Sequence, residues 1–545
     1  MSTLNSVLDI AKTALLSSQK AINVTSHNIS NASTPGYTKQ TAVMESMDPV
    51  NYGGLYFGAG VTVSGIERVY DSFQATQIRD ANSSLSRYEA KGGHLSAVES
   101  LLNDFGGSGL SSRVDDFFNA FEDLAASPST SAERSALLSS ANVLADEFNR
   151  VGGAIKQNVS QINGRIEATV EKINTLGAQV AELNLQITTV EVAGTSANDL
   201  RDRRDNLLNE LSKLADISTV EGKDGKTDVY ISGSFLVAGV EVSPLSVVIN
   251  PENPEVYNIS SNGMVLNDRI TGGSLKGDLE GSAYLQDILG RLDYLAASIV
   301  KDVNTLHRSG YGLDGSTGVD FFKAPSVYLQ SSTRNTGGAV ISAGSVTDLT
   351  LLTLDDYEVR FSGPASYTVV NTATNAVVTT GAYASGSPIT FDGISFTITD
   401  NTGTPAMGDT FAVSVTKNAS EYIGVDITNG NRIAASSSAA TLPGDNTNAM
   451  ALAALKDSAS MDGQTFSEFY RAVVTGVGTA VAEAKSNLSA QGKVAEQLQL
   501  ARESVSGVSL EEEAINLIKL QRAYEAAAKV MGTADKMFEA LLNIR

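Results

Sequence analysis

The chain carries the same apolar spacing at both of its ends. Leu4, Leu8, Ala11, Leu15, Ser18, Ile22, Thr25 and Ile29 alternate by four and three. So do Leu510, Ala514, Leu517, Gln521, Tyr524, Ala528, Met531, Asp535, Phe538 and Leu542. This spacing keeps one stripe of a helix against a partner helix. Neither seam is strong, because Ser18 and Thr25 interrupt the first and Gln521 and Asp535 the second. Fixing one residue's backbone costs about 1 to 2 kcal/mol, more over the opening segment than Leu4, Leu8, Leu15, Ile22 and Ile29 recover. Each end is therefore expected to form a helix only against a partner, and the other end is the obvious one. Glu511, Glu512 and Glu513 crowd the start of the closing helix, where its dipole favours negative charge.

Between the ends the pattern changes twice. Val159, Ile162, Ile166, Thr169, Ile173, Leu176, Val180, Leu183, Ile187 and Val190 predict a long helix with a nearly unbroken seam. Leu200, Leu207, Leu208, Leu211 and Leu214 predict a second, and Leu285, Ile288, Leu292, Leu295, Ile299, Val303 and Leu306 a third. Residues 221–280 read as β-hairpins, and residues 331–430, with SYTVVNTATNAVVTT and ITFDGISFTITD, as an inserted all-β domain. Helical signals resume after PGDNTN at Pro443. At 545 residues and about 100 to 200 residues per domain, the expectation is a multidomain α+β chain with a nested architecture. An N-terminal assembly helix and extended linker occupy 1–72, and a helical domain with hairpins 73–330. The β insert fills 331–430, a return into the helical domain 431–505, and a C-terminal assembly helix 506–545 pairs with the first.

Chemistry is sparse. A net charge of −22 repels phosphate backbones and anionic headgroups, so nucleic acid is not an expected partner. With no cysteine, disulfides, thiolate metal sites and cysteine nucleophiles are out. No run of about 18 apolar residues suggests membrane insertion. The opening residues lack a basic start, an unbroken apolar run and a small-residue cleavage site, so export would use a route that reads an uncleaved chain. His27, His94 and His307 have no second ligand at a metal-binding spacing. His27 is expected to help end the first helix, and His307 to be a favoured cation at a helix C-terminus. GKDGKT at Gly222 lacks the first glycine of a phosphate loop, since that position is Val220, and reads as a hairpin turn. Asp314, Ser316 and Asp320 lack a bidentate partner and read as a turn. The pairs Asp115–Asp116 and Asp355–Asp356, and the triplet at Glu511, read as solvated faces, because adjacent helix residues do not face one another. No nucleophile elbow appears. The expectation is no catalytic residue, no cofactor and no metal: not an enzyme.

One segment is far more specific. In SHNISNASTPGYTKQ, Asn28, Asn31 and Ser33 compete with the backbone for hydrogen bonds and end the first helix, and Pro35 and Gly36 force a turn before the extended TKQTAVMES. Together with GVSLEEEAINLIKLQRAYEAAAKVMGTADKMFEALLNI at the other end, it resembles the terminal signatures of the bacterial flagellar rod, hook and hook-associated axial proteins. The TPGYTKQ form points to the hook-associated branch rather than to hook or distal rod protein. NDLRDRRDNLLNELSKLADI from Asn198, GGSLKGDLE from Gly272, VNTLHRSGYGLDGSTGVDFF from Val303 and PGDNTNAMALAAL from Pro443 extend the resemblance. It is weak over the β insert.

The resemblance implies a structural subunit of an extracellular flagellar junction between hook and filament, built as a homo-oligomeric ring. It implies the hook protein and hook-associated protein 3 as partners, export unfolded through the flagellar type III apparatus, and a chaperone on the C-terminal helix. It assigns assembly to Leu4, Leu8, Leu15, Ile22 and Ile29, to the turn residues Asn28, Asn31, Pro35, Gly36 and Tyr37, and to Leu510, Leu517, Gln521, Tyr524, Met531, Phe538 and Leu542. The family often has arginine where this chain has Lys39, which preserves the charge. Two other readings stay open: another axial protein, or a β-domain adhesin anchored by the termini. Tyr357, Tyr367 and Tyr383 of the β insert are read as core or strand positions. The acidic surplus suggests that the exposed domains carry the charge while the termini stay nearly neutral.

Overall fold

The computed structural model describes residues 2–543 apart from 53, 104–108 and 193. Its two outermost helices, α1 (Ser2–Asn31) and α10 (Leu510–Asn543), lie antiparallel against each other, the end of α1 meeting the start of α10. Along α1 the buried stripe is Leu4, Ala11, Ser18 and Thr25, joined by Ala21 and Asn28 in place of Ile22 and Ile29. Along α10 it is Glu513, Ala527 and Ala534, with Leu517, Met531 and Phe538 half-buried beside them. The seam thus keeps alternate members of the heptad seen in the sequence and shifts the others by one residue. Small side chains hold the centre, which lets the two backbones approach closely. A ribbon of β1 (Gln40–Ser46) and β4 (Val61–Arg68), bulged at Val43/Met44, lies along α1, and the Ser17 hydroxyl donates to the Val61 carbonyl at 3.0 Å. The short hairpin of β2 (Val50–Tyr52) and β3 (Leu55–Phe57) caps the ribbon. The extended linker of the sequence is therefore a paired β-ribbon, because β1 finds its complement in TVSGIER.

The helical body is assembled from α2 (Ser72–Leu102), α3 (Leu110–Ala126), α4 (Ser131–Glu191), α5 (Asn198–Leu214) and α6 (Gly273–Ser309). The 61 residues of α4 span about 90 Å at 1.5 Å per residue. Over that length a 3.6-residue turn drifts from a 3.5-residue repeat. Val170 and Asn184 accordingly take the buried places that the heptad would give Thr169 and Leu183. Asparagines of α4 tie hairpins to the helix by imitating backbone. The Asn184 amide donates to the carbonyls of Thr227 (2.8 Å) and Gly239 (2.6 Å) and accepts from the Thr227 N–H (3.1 Å). Asn174 does the same with both backbone groups of Leu245. The hairpins are β5 (Ile217–Glu221), β6 (Thr227–Ile231), β7 (Ser234–Ala238) and β8 (Glu241–Val242) in one sheet, and β9 (Ser246–Ile249), β10 (Tyr257–Ser261) and β11 (Met264–Val265) in another. Gly222 and Lys226 close the β5–β6 turn.

The insert has two sheets. The first, in spatial order, is β12 (Tyr328–Ser331), β19 (Thr410–Ser414), β14 (Tyr357–Gly363), β15 (Ser366–Asn371) and β16 (Val377–Ala382). The second is β13 (Ala339–Val346), β18 (Ile394–Asp400) and β17 (Pro388–Phe391). Alternation along β14 and β18 buries Tyr357, Val359, Phe361, Ile394, Phe396 and Ile398 between them. The chain returns through the single turn α7 (Ala419–Tyr422) and α8 (Thr447–Ala454) to α9 (Phe466–Ser506), which packs on α2 and leads to α10. Phe117, Phe118 and Phe121 of α3 meet Phe321, Phe322 and Phe466 where the outgoing and returning segments cross.

One expectation fails here. His307 is not a cation at a helix end: it is fully buried, one ring nitrogen donating to the Val319 carbonyl at 2.7 Å and the other accepting the Ala434 N–H at 2.9 Å. Burial, with Arg134 and Arg432 nearby, depresses its pKa to about 4, so the neutral ring links two backbone segments.

Candidate functional site

The junction of the terminal helix pair with the helical body gathers the residues of the most specific sequence segment. Asn28, 1% exposed, is its hub. Its amide nitrogen donates to the Gln40 carbonyl (2.8 Å) and to a Glu513 carboxylate oxygen (3.0 Å), while its oxygen accepts from the Gln40 N–H (3.0 Å) and the Tyr37 hydroxyl (2.8 Å). One side chain thereby joins the end of α1, the turn, the first residue of β1 and the start of α10. Asn31 caps its own helix by donating to the His27 carbonyl at 3.0 Å, and His27 meets the Tyr37 hydroxyl at 3.1 Å. Pro35 stays exposed and ends the helical run. Gly36 sits at φ +77°, and a Cβ there would lie 1.9 Å from the Asn206 side chain of α5. The turn thus needs glycine for its conformation and for its closeness to the body.

Glu513 corrects the reading of the acidic triplet as a solvated face. It is 2% exposed and holds both Asn28 and Lys39, whose ammonium lies 3.2 Å from Glu513 and 3.3 Å from Glu512. Burial works to lower the Lys39 pKa, but its hydrogen bonds to Glu513 and Glu512 carry it upward, so it stays charged. The Tyr37 phenol is pushed up by burial and by Asp199, Asp202 and Glu513, and stays protonated as a donor.

The other half of the junction was missed from sequence. The N-terminal turns of α5 present Asp199, Asp202 and Asp205 to the ribbon. Asp202 accepts the Thr38 N–H (3.0 Å) and an Arg68 nitrogen (2.6 Å). The same Arg68 nitrogen reaches Asp205 at 2.8 Å, and Asp199 accepts from the Gln40 amide at 2.8 Å. One guanidinium between two carboxylates leaves a negative cluster. Burial therefore lifts the Asp202 carboxyl above its usual range although Arg68 pulls it down. Burial also opposes the charge on Arg68, but Asp205 and Asp202 outweigh it and raise its pKa. Desolvation carries the Asp202 direction, and the second carboxylate, Asp205, helps carry that of Arg68. The sequence signal nearby was for Arg204, not for the three aspartates: Arg204 and Leu208, four apart, share a helix face with Leu211, and a charge on an apolar stripe marks a buried polar contact. Arg204, 1% exposed, donates to the Gly225 carbonyl at 2.6 Å and to Asn184 at 3.0 Å.

Residues 95–322 match the family described as flagellar hook-associated protein FlgK helical domain, and residues 330–415 that described as flagellar hook-associated protein 1, D2-like domain. Residues 8–38 match flagella basal body rod protein, and residues 502–544 flagellar basal body rod FlgEFG protein C-terminal. Flagellar hook-associated protein 1 of Escherichia coli is 31% identical over 99% of this chain and all of the relative, and that of Salmonella typhimurium 33% over the same shares. The chain belongs to the flagellar hook-associated protein 1 family. The relative in Bacillus subtilis is 25% identical over 98% of this chain and 97% of its own. The flagellar hook junction protein of Burkholderia pseudomallei shares the fold, with a TM-score of 0.67 at 22% identity over 79% of this chain and 100% of that one.

Membership of this family makes the protein a structural component of the flagellum and directs attention to what its helix pair leaves uncovered. Leu4 is buried in the seam, Leu8, Leu15, Ile22 and Ile29 are half-buried, and Val7 and Leu16 face outward. On α10, Leu517, Met531 and Phe538 lean on α1, whereas Leu510, Gln521 and Tyr524 are exposed; the side chain of Leu542 lies outside the described residues. Ile515, Ile518, Val530 and Met537, roughly half exposed each, fall within an arc of about 120° that begins beside the α1 seam, with Val530 about 40° from Ala534, and reaches the far side of the helix at Ile518, at 100° per residue. α10 therefore carries an apolar surface broader than the part that α1 covers, and the rest of it is open. Charge follows the same division. Asp9, Glu45, Asp48, Glu67 and Asp71 nearly balance Lys12, Lys20, Lys39 and Arg68 in the opening segment, and the closing one is balanced likewise, so the surplus sits in the domains between.

Proposed function

We propose that the protein is a non-catalytic subunit of the ring joining the flagellar hook to the filament. Its paired terminal helices pack against copies of themselves, and its β domain points outward. The observation carrying this reading is the apolar surface of α10 that α1 leaves uncovered, with its exposed Ile515, Ile518, Val530 and Met537 on a nearly neutral helix pair: a stripe of this length on an extracellular protein calls for a helical partner. The assembly residues are Leu4, Leu8, Leu15, Ile22 and Ile29 on α1, and Leu510, Leu517, Gln521, Tyr524, Met531, Phe538 and Leu542 on α10. Asn28, Asn31, Pro35, Gly36 and Tyr37 set the direction of the pair. The hook protein lies on one side and hook-associated protein 3 on the other. A chaperone covers the C-terminal helix before export. The described residues support no membrane span, since none of their helices is long and apolar enough.

The tyrosines of the β insert do not favour a sugar-binding reading. Tyr357 is 1% exposed, Tyr367 packs on Phe361, and Tyr383 donates to Asp400 at 2.7 Å. The test is complementation of a strain lacking this gene with a chain lacking residues 510–545. Hooks without filaments, with filament subunits lost to the medium, are expected. Normal filaments would overturn the reading.

A further inference from the structure

The β domain is acidic, yet two of its sides carry no charge. Residues 331–430 hold nine acidic side chains against three basic ones, and none of these lies in 335–347 or 361–391. The second of these segments is the longest stretch of the chain without Asp, Glu, Lys or Arg, although charged residues make up 18% of the whole. The next longest are 21–38 and 49–66, in α1 with its turn and in the ribbon, and 335–347 follows them. Charge is thus cleared from the N-terminal assembly segment and from two segments of the β domain.

The fold puts those two segments on opposite sides of the domain. β16, inside 361–391, ends the five-stranded sheet and pairs with β15 alone. Its outer edge meets no strand among the described residues, and the turns beside it, 372–376 and 384–387, are exposed. Such an edge turns alternate N–H and C=O groups toward whatever reaches it, and proteins usually blunt it with lysine or proline. β16 has neither; Val377, 61% exposed, and Thr380 stand out from it instead. β13, inside 335–347, lies at the other end of that sheet, beside β12: a Cβ at Gly344 would fall 2.7 Å from Val327. Val340, Ser342 and Ser345 of β13 are exposed. The width of the sheet between β16 and β12, about 19 Å, keeps the two sides of one molecule apart.

We propose that the β domains of neighbouring copies touch, the β16 side of one against the β13 side of the next. The occupant is a second copy for two reasons. Copies that each carry a net charge of −22 repel, and they meet at least cost where neither presents a charge. Two different surfaces on opposite sides of one domain also join head to tail, the arrangement that closes a ring of identical subunits, whereas a single self-matching patch stops at a dimer. The inference rests on the ring proposed above and adds to it a contact at its outer wall.

Because the chain has no cysteine, engineered thiols report the contact directly. The full chain carrying Thr380→Cys and Val340→Cys is produced in the strain lacking this gene, and its flagella are treated with a short bismaleimide. A ladder of covalent dimers, trimers and higher species is expected on a denaturing gel, and monomer only from either single variant. Filament-bearing flagella that yield only monomer from the double variant, a dimer from Thr380→Cys alone, or a product carrying another protein would overturn the contact and leave the ring standing. If the double variant attaches no filaments, Ala382→Cys with Ser342→Cys replaces it. If the native chain itself attaches none, the ring reading fails and the contact with it.

Discussion

At the scale of single residues, the polar hubs make this molecule specific. Asn28 satisfies a buried glutamate and both backbone groups of Gln40 at once, and no apolar or shorter side chain does that. Asn28→Ala leaves the Glu513 carboxylate and a backbone amide buried without that partner. A loss of about 2 to 3 kcal/mol in the stability of the terminal pair is expected, read as faster hydrogen exchange in 510–530 with the α4 amides unchanged. His307 makes a separate prediction. Its folded pKa, about 4, lies below the ordinary 6.5, so the neutral ring's contribution is complete above pH 6.5 and disappears as pH falls toward 4. That is on the order of 3 kcal/mol. His307→Gln retains a donor and an acceptor without the titration. Denaturant midpoints at pH 4.5 and 7.5 should show the native protein losing more on acidification than the variant, and equal losses would refute the assignment.

At the scale of elements, helix phase is the question. A heptad read from large apolar residues puts Ala528 in the α10 seam; the structure puts Ala527 there, 8% exposed, and leaves Ala528 outside. The discrepancy arises because close backbone approach selects small residues for the inner face, while the larger Ile515, Ile518, Val530 and Met537 are left on the outer one. Ala527→Glu therefore buries an unpaired charge and should open the α1–α10 pair, costing upward of about 2 kcal/mol. Ala528→Glu should stay within about 0.5 kcal/mol of the native chain, as exposed substitutions do. Circular dichroism and exchange of 2–31 in the two purified variants check this, and the reverse order would restore the sequence-based phase. α4 shows the same principle over a greater length, since a strict heptad cannot stay inward on a straight helix.

At the scale of the whole molecule, stability is unevenly distributed. The body and the β domain each hold a core of fully buried aromatics, whereas α10 buries only Glu513, Ala527 and Ala534 among its described residues. Elements with so little buried apolar surface open first. Limited proteolysis of the isolated protein should remove α10 and α1 before any internal cut, leaving a core beginning near Ala32 and ending near Gly507. A chain cut first within the β insert would contradict this ranking. The terminal helices, α5, α6, the later half of α4 from Val159, the hairpins, the β insert and the turn at Pro35 and Gly36 were legible in the sequence, because periodicity and turn chemistry are local properties; α2, α3 and the start of α4 at Ser131 were not read as separate helices. So was the pairing of the two ends, since neither seam suffices alone. The inner face of each terminal helix, the burial of Glu513 and His307, and the clasp of Asp199, Asp202 and Asp205 on the ribbon were decided only by the tertiary structure. Each depends on which distant group arrives to cover or satisfy a side chain, and burial and hydrogen-bond partners are properties of the fold rather than of neighbours in the chain.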